Sequence, residues 1–114
     1  MFAEYNYDEF PYVKVNFNKT IENSEDFDKF LTGWIELYNQ KQNFIFIFDT
    51  TNVGFVNPTY CFKMAMFIHN LKQREVQYLE KSFIIVSSKL VERLLDLIFF
   101  LQKPVAPVYI LKNN

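Results

Sequence analysis

The sequence predicts an α/β domain with a mainly parallel sheet of four to five strands and crossover helices. Three short segments are apolar on both faces, Phe44–Phe48, Phe83–Val86 and Val108–Leu111, and segments with helical periodicity separate them. Such runs are typical of central parallel strands that helices cover on both sides. Strands that alternate with helices form parallel sheets with right-handed crossovers. At 114 residues, the whole chain (1–114) is expected to form a single domain.

Two strands are predicted ahead of the first helix. In Tyr12–Phe17 every second side chain is valine or phenylalanine, which is the alternation of a half-buried strand. Pro11 stands at its start, where a missing N–H does least harm. The segment Phe2–Tyr7 is expected to pair with this strand as an edge strand, through a turn at residues 8–11.

The first helix is predicted from its cap and its periodicity. Asn23 and Ser24 are both good N-cap residues, and two acidic residues follow in the first turn, where the helix dipole favours them. The helix ends near Gln40, and Gly33 is expected to weaken it slightly. Its apolar stripe repeats at helical spacing: Phe27, Phe30, Leu31, Trp34, Ile35 and Tyr38.

Two further helices lie between the apolar strands. One is predicted over Pro58–Arg74, with Asn57 as its cap and proline at the first helical position. The other is predicted over Lys89–Gln102, with Ser87 or Ser88 as its cap and prolines beyond its end. The resulting order of strands and helices fits one sheet with crossover connections.

Composition excludes several classes of function. With 12 basic and 13 acidic residues the net charge is -1, so no basic field for nucleic acid is expected. A single cysteine, a single histidine and two glycines exclude a disulfide framework, a zinc constellation and a glycine-rich phosphate loop. Cys61 and His69 are eight positions apart on one helix, about 12 Å along its axis, and cannot form a dyad. We therefore expect no catalytic residues, no metal and no cofactor.

The sequence also indicates where the protein resides. Its longest apolar run, Leu97–Leu101, is far shorter than the roughly 20 residues that a membrane-spanning helix needs. The acidic N-terminal segment does not resemble a signal or transit peptide. We expect an intracellular protein, soluble or peripheral to a membrane, without a transmembrane segment.

The carboxyl ends of the predicted strands are the first place to expect a site, because ligands of open α/β sheets gather there, near a reversal of strand order. Asp49, Thr50, Thr51 and Asn52 follow the second main strand. One interpretation is an Asx-type turn that closes the strand. The alternative is a switch loop whose threonines are phosphoacceptors, since a phosphate would add almost two negative charges beside Asp49.

The last two predicted helices carry more apolar residues than one sheet face can cover. The surplus predicts a surface for a partner or a hydrophobic ligand, formed by Phe62, Met66, Phe67, Leu97, Phe99 and Phe100. Three explanations remain open: a protein partner or self-association, coverage of each helix by its neighbour, and contact with a membrane surface or lipid. The helices lack the basic polar face of interfacial membrane helices.

The order of elements, together with the segments Ser82–Ser88, Leu90–Leu95 and Lys103–Tyr109, resembles the SpoIIAA-like branch of the STAS domains. That branch is related in fold to the CRAL-TRIO lipid-binding domains. The resemblance covers nearly all of the chain and implies a non-enzymatic regulatory or interaction module. Some STAS modules are phosphorylated in an Asp-Ser/Thr-Ser/Thr-Gly-like turn that enters a helix directly. Asp49–Thr51 matches the start of that turn, whereas Asn52 replaces the glycine and the helix is delayed to Pro58.

These observations predict a non-catalytic protein-interaction or regulatory module, acting as a homodimer or as an accessory subunit of a larger assembly. The alternative is a small binder of a hydrophobic ligand such as a lipid, which needs a cavity between the sheet and the helices. An enzyme would need Asp49, a hydroxyl from Ser87 or Ser88, and His69 to converge in one pocket.

Overall fold

A computed structural model describes residues 1–113, which fold into five strands and three helices. The elements in chain order are β1 (Ala3–Glu9), β2 (Tyr12–Phe17), α1 (Ser24–Asn39), β3 (Phe44–Asp49), α2 (Thr59–Leu71), β4 (Leu79–Val86), α3 (Lys89–Leu101) and β5 (Val108–Lys112). All the predicted elements are present, and most of their ends agree with the sequence pattern within two residues.

The five strands form one sheet, in the order β1-β2-β3-β4-β5. Strand β1 runs antiparallel to β2, with Ala3 opposite Phe17 and Tyr5 opposite Val15. The three remaining pairs are parallel. The predicted mainly parallel sheet and its edge strand β1 are therefore confirmed.

The strand order places all three helices on one face of the sheet. Each helix connects a strand to the next strand in the same direction, so crossovers of one hand put every helix on the same side. The single core cluster joins side chains of the three helices to this helix-covered face only, through Val13, Val15, Phe17, Phe44, Phe46, Phe48, Ile84 and Val86. The prediction that helices cover the central strands on both sides is therefore wrong.

Aromatic rings fill the space between α1 and the sheet. The ring of Trp34 meets Phe46 edge to face with 4.8 Å between centroids, and Phe46 lies 4.5 Å from Phe48. Phe67 of α2 packs on the other side of Trp34 at 5.3 Å. These edge-on and tilted geometries are the ones that aromatic quadrupoles favour. Much of the phenylalanine content therefore serves the core.

The helix starts follow the predicted caps. Asn23 caps α1, because its Oδ1 accepts the N–H of Asp26 at 3.0 Å. Before α2, Asn57 Oδ1 accepts the N–H of Thr59 at 2.9 Å, and Pro58 already has helical dihedral angles. These are the satisfied orphan N–H groups that define a stable helix start.

Two element ends differ from the sequence pattern. Helix α2 ends at Leu71 rather than Arg74, because the Gln77 side chain donates to the Leu71 carbonyl and turns the chain toward β4. Strand β4 begins at Leu79, four residues before the predicted start, and Leu79 pairs with Phe44. The polar residues at positions 80–82 interrupt the apolar run and conceal the strand.

Among residues 1–113, none of the helices combines the length and the apolar character that a membrane crossing requires.

Candidate functional site

The loop after β3 is closed by its own hydrogen bonds. Asp49 Oδ1 accepts the Thr51 N–H at 3.0 Å and the Thr51 hydroxyl at 2.7 Å. The Thr50 hydroxyl is buried and donates to the carbonyl of Ile85 at 2.6 Å. The hydrogen bond from the Thr51 hydroxyl is the main reason that the pKa of Asp49 lies below its ordinary value. This is the Asx-type turn interpretation of the sequence.

This closed geometry bears on the switch-loop hypothesis. Both threonine hydroxyls are engaged inside the molecule, and of the four predicted loop residues only Asn52 is exposed. A phosphate on Thr51 would lie against the Asp49 carboxylate, which repels it. The described strands also show no reversal of order, so no switch-point crevice lies beside this loop. Phosphorylation of this loop stays a prediction, which the geometry does not favour.

The three groups that an enzyme would need do not meet. Ser87 donates to the carbonyl of Thr51 at 3.3 Å, close to Asp49 and ahead of α3. His69 lies 3.3 Å from the side chain of Gln102, just beyond the other end of α3. That helix has 13 residues, which is about 20 Å of length. These residues therefore form no catalytic triad.

Cys61 is a core residue of α2. Its side chain is buried and directed at the Leu94 carbonyl of α3, at 3.8 Å. Burial raises the pKa of its thiol, which favours the unreactive protonated form. Among residues 1–113, no group of three or more histidine, cysteine, aspartate and glutamate side chains is arranged to hold a metal ion.

The six residues predicted to form an apolar surface do not form one continuous surface. Phe62 and Met66 are exposed at a shallow groove between α1 and α2. Phe67 turns inward onto the core, Phe99 lines a partly open cavity beneath α3, and Leu97 is half-buried. Phe100 points outward from α3 and is 85% exposed. Helices α2 and α3 also pack against each other, and this contact explains part of the apolar surplus.

That cavity lies between the helix-covered face of the sheet and the inner sides of the helices. Its volume is about 160 Å³, and its lining is almost entirely apolar. Phe48 and Ile84 contribute from the sheet, while Leu94 and Ile98 contribute from α3. The sequence pattern gave the apolar side of α3 but contained no signal that a space remains beneath it.

The opposite face of the sheet is covered by none of the described helices. We call it the open face, and it comprises Glu4, Asn6, Tyr12, Lys14, Asn16, Ile45, Ile47, Asp49, Lys81, Phe83, Ile85, Tyr109 and Leu111. Its polar members lie mostly toward β2, and its apolar members lie toward β5. The rings of Phe83 and Tyr109 stack at 5.5 Å, with the Lys81 ammonium 5.7 Å from the Phe83 ring centre.

Strand β5 forms one edge of the sheet and is the least buried strand. Only Val108 is half-buried, whereas Tyr109, Ile110 and Leu111 are each between 41% and 50% exposed. Lys112 is held by an ion pair with Glu92 of α3, at 3.1 Å. The apolar half of the open face therefore ends at an exposed apolar edge.

The sequence and fold were compared with known proteins. No protein-family model matches the chain, and neither a curated protein nor a solved structure is significantly similar to it.

Proposed function

We propose that this domain is a non-catalytic interaction module that pairs with a second copy of itself through β5, so that the two sheets become one. The observation that carries the proposal is the exposed apolar edge at Tyr109–Leu111. Its backbone N–H and C=O groups on the outer side have no strand partner within the described chain. Unpaired edges of this kind are templates for strand addition. The resemblance to STAS modules supports the same class of function.

The two edges of the sheet differ in a way that supports this choice. Strand β1 carries Glu4, Asp8 and Glu9, and its register shifts between Asn6 and Glu9. Charges and irregular registers are the devices by which proteins block strand addition at an edge. Strand β5 carries no charge before Lys112 and no proline. The edge at β1 is protected, whereas the edge at β5 is suited to pairing.

The sequence of β5 is compatible with antiparallel pairing to itself. A two-fold axis at Ile110 would set Ile110 opposite its copy and Tyr109 opposite Leu111, which share a face of the sheet. The two Lys112 side chains would lie at opposite ends of the new pair, so no like charges meet. The apolar half of the open face would then continue across both copies.

The test is the mass of the purified protein in solution, measured by light scattering. We expect twice the chain mass of 13.8 kDa for the wild type, and the mass of a single chain for Ile110→Lys, which sets two ammonium groups opposite each other. Val76→Lys, an equal change on an exposed loop, is the control and stays paired. A monomeric wild type refutes pairing with a second copy.

Loss of folding would confuse the result, so circular dichroism accompanies each variant. If Ile110→Lys is unfolded, Leu111→Lys replaces it, because Leu111 is 48% exposed and lies on the open face. A dimer that survives the folded Lys variant refutes β5 as the interface. A defined mass with a different protein bound at β5 would refute self-pairing and identify the accessory-subunit alternative.

A further inference from the structure

The cavity between the sheet and the helices is formed by residues from every layer of the fold. Phe48, Ser82 and Ile84 form its floor, and Tyr60 and Met64 of α2 form one wall. The inner side of α3 forms the roof, with Leu94, Leu95, Ile98 and Phe99. Pro104, Val105 and Ala106, in the loop that follows α3, close one end. The space is therefore a feature of the whole fold rather than of one loop.

The chemistry of the lining restricts what the cavity can hold. Among residues 1–113, no aspartate, glutamate, lysine, arginine or histidine lines it. The Thr50 hydroxyl at its border is already donated to the Ile85 carbonyl. A buried water molecule needs two to four polar partners, and charged groups are not transferred into apolar surroundings without a partner. Trp34 also lines the cavity, and its buried indole N–H has no hydrogen-bond partner in the part of the chain that the structure describes. The lining therefore accepts an uncharged, mainly apolar occupant.

Helix α3, which forms the roof of the cavity, is attached to the rest of the fold near both of its ends. Ser88 caps the start of α3 by accepting the Val91 N–H at 3.2 Å, and Val91 is the one fully buried residue of the helix. Beyond the other end of α3, Gln102 is hydrogen-bonded to Lys72 of the segment after α2, at 2.8 Å. Between these two attachments the apolar residues of α3 that line the cavity, Leu94, Leu95, Ile98 and Phe99, are only half-buried. The helix is thus attached near both ends, and its inner side lines the cavity between these attachments.

The size of the cavity then indicates the size of its ligand. At about 160 Å³ it is comparable to apolar cavities of about 150 Å³ that stay dry and bind benzene. An unfilled apolar space of this size lowers stability, because its lining lacks van der Waals partners. A ligand that fills it would restore those contacts.

We infer that this cavity is a binding site for a small, uncharged, apolar molecule of about one aromatic ring or an equivalent short hydrocarbon. It lies on the opposite side of the sheet from the open face, and of β5 only Val108 lines it, outside the exposed edge at Tyr109–Leu111. The inference is therefore independent of the proposed pairing, and either one can fail without the other.

The test is a titration of the full chain with benzene, followed by methyl NMR spectroscopy. We expect saturable shifts of Ile84, Leu94 and Ile98, which line the cavity, and none at Ile47, Ile85 and Leu111 on the open face. Benzoate, the charged counterpart of the same ring, should shift neither set. Shifts of the open-face methyl groups, or equal effects of benzoate, would refute the inference, as would no saturable change up to the solubility limit of benzene.

A cavity-filling variant locates the site. Ala106→Leu places three further carbon atoms in the cavity and should weaken benzene binding at least tenfold, whereas Thr32→Leu, on the exposed side of α1, should leave it unchanged. If circular dichroism shows that Ala106→Leu is unfolded, Val105→Phe takes its place. Unchanged benzene affinity in the folded cavity variant would overturn the assignment.

Discussion

The ring of Tyr5 packs directly on the backbone of Gly33, so that a Cβ atom built on Gly33 would lie 2.6 Å from Cε1 of the ring. The ring is fixed in place, because its hydroxyl donates to the Phe30 carbonyl of the same helix. Burial is the main cause that raises the pKa of this hydroxyl, which keeps it a proton donor. Gly33 is therefore required for the approach of α1 to β1, although it is a poor helix former.

Gly33→Ala tests this relationship through the sign of its effect. Helix propensity alone would stabilise α1 by about 1 kcal/mol. We expect the opposite, a loss of about 1 to 3 kcal/mol, because the Tyr5 ring must move within a packed core. Denaturant unfolding measures it. In a Tyr5→Ala background the same change should become neutral or stabilising, and a stabilised Gly33→Ala protein with Tyr5 intact would contradict the packing argument.

The neighbouring residues Ser87 and Ser88 have different roles: Ser88 caps α3, whereas Ser87 is a surface residue. Ser88 Oγ accepts the Val91 N–H at 3.2 Å, whereas Ser87 is exposed and donates to the Thr51 carbonyl at 3.3 Å. Ser88→Ala should lower the free energy of unfolding by about 1 kcal/mol. Ser87→Ala, the matched control, should change it by less than about 0.5 kcal/mol. Equal losses in the two variants would show that the cap does not stabilise α3.

The ionisation of Asp49 should make the free energy of unfolding depend on pH in the acidic range. Its folded-state pKa lies below the ordinary value of 3.8, with the Thr51 hydroxyl as the main cause. A depressed carboxyl pKa stabilises the fold above the unfolded pKa, and this contribution is lost as pH falls through the folded pKa. Asp49→Asn keeps an acceptor for the turn but cannot titrate.

The measurement is the free energy of unfolding of both proteins between pH 7 and pH 2. The wild type should be the more stable protein at neutral pH, and its advantage should shrink below pH of about 4. A difference that stays constant across this range would mean that the ionisation of Asp49 does not contribute.

Truncating one buried and one exposed phenylalanine tests which aromatic side chains belong to the core. Phe46 is fully buried among aromatic rings, and Phe100 is 85% exposed. Phe46→Ala should cost about 3 to 5 kcal/mol through the cavity that it creates. Phe100→Ala should change the free energy of unfolding of the monomer by less than about 0.5 kcal/mol. A large loss at Phe100, measured at low protein concentration, would show that this side chain is covered in solution.

The sequence was sufficient to predict the order of the elements and most of their ends. Periodicity identifies a helix when its apolar stripe is unbroken, as in α1, and caps such as Asn23 mark its start. The start of β4 was missed because Glu80 and Lys81 stand on that strand with alternating exposure, which conceals the apolar pattern. Local polarity is a poor guide where a strand has one uncovered face.

The apolar pattern of the sequence could not show which face of the sheet is covered by helices. Ile45 and Ile47 are apolar although they lie on the open face, because neighbouring strands and long side chains shield them in part. An apolar run therefore reports low exposure but not what provides the cover. The site showed the same limit: the apolar side of α3 is visible in the sequence, whereas the space beneath it depends on how the helix packs in the tertiary structure.

The order β1-β2-β3-β4-β5 has a consequence for how the protein is made. Each strand is laid beside the strand synthesised before it, so the sheet can grow from its first hairpin in a single direction as the chain leaves the ribosome. During that growth β3 and then β4 is for a time the outermost strand, until its successor arrives. In the described fold β5 keeps the unpaired outer edge that β3 and β4 have only during synthesis. A nascent chain should therefore expose an edge that can pair with another strand at each stage of its growth.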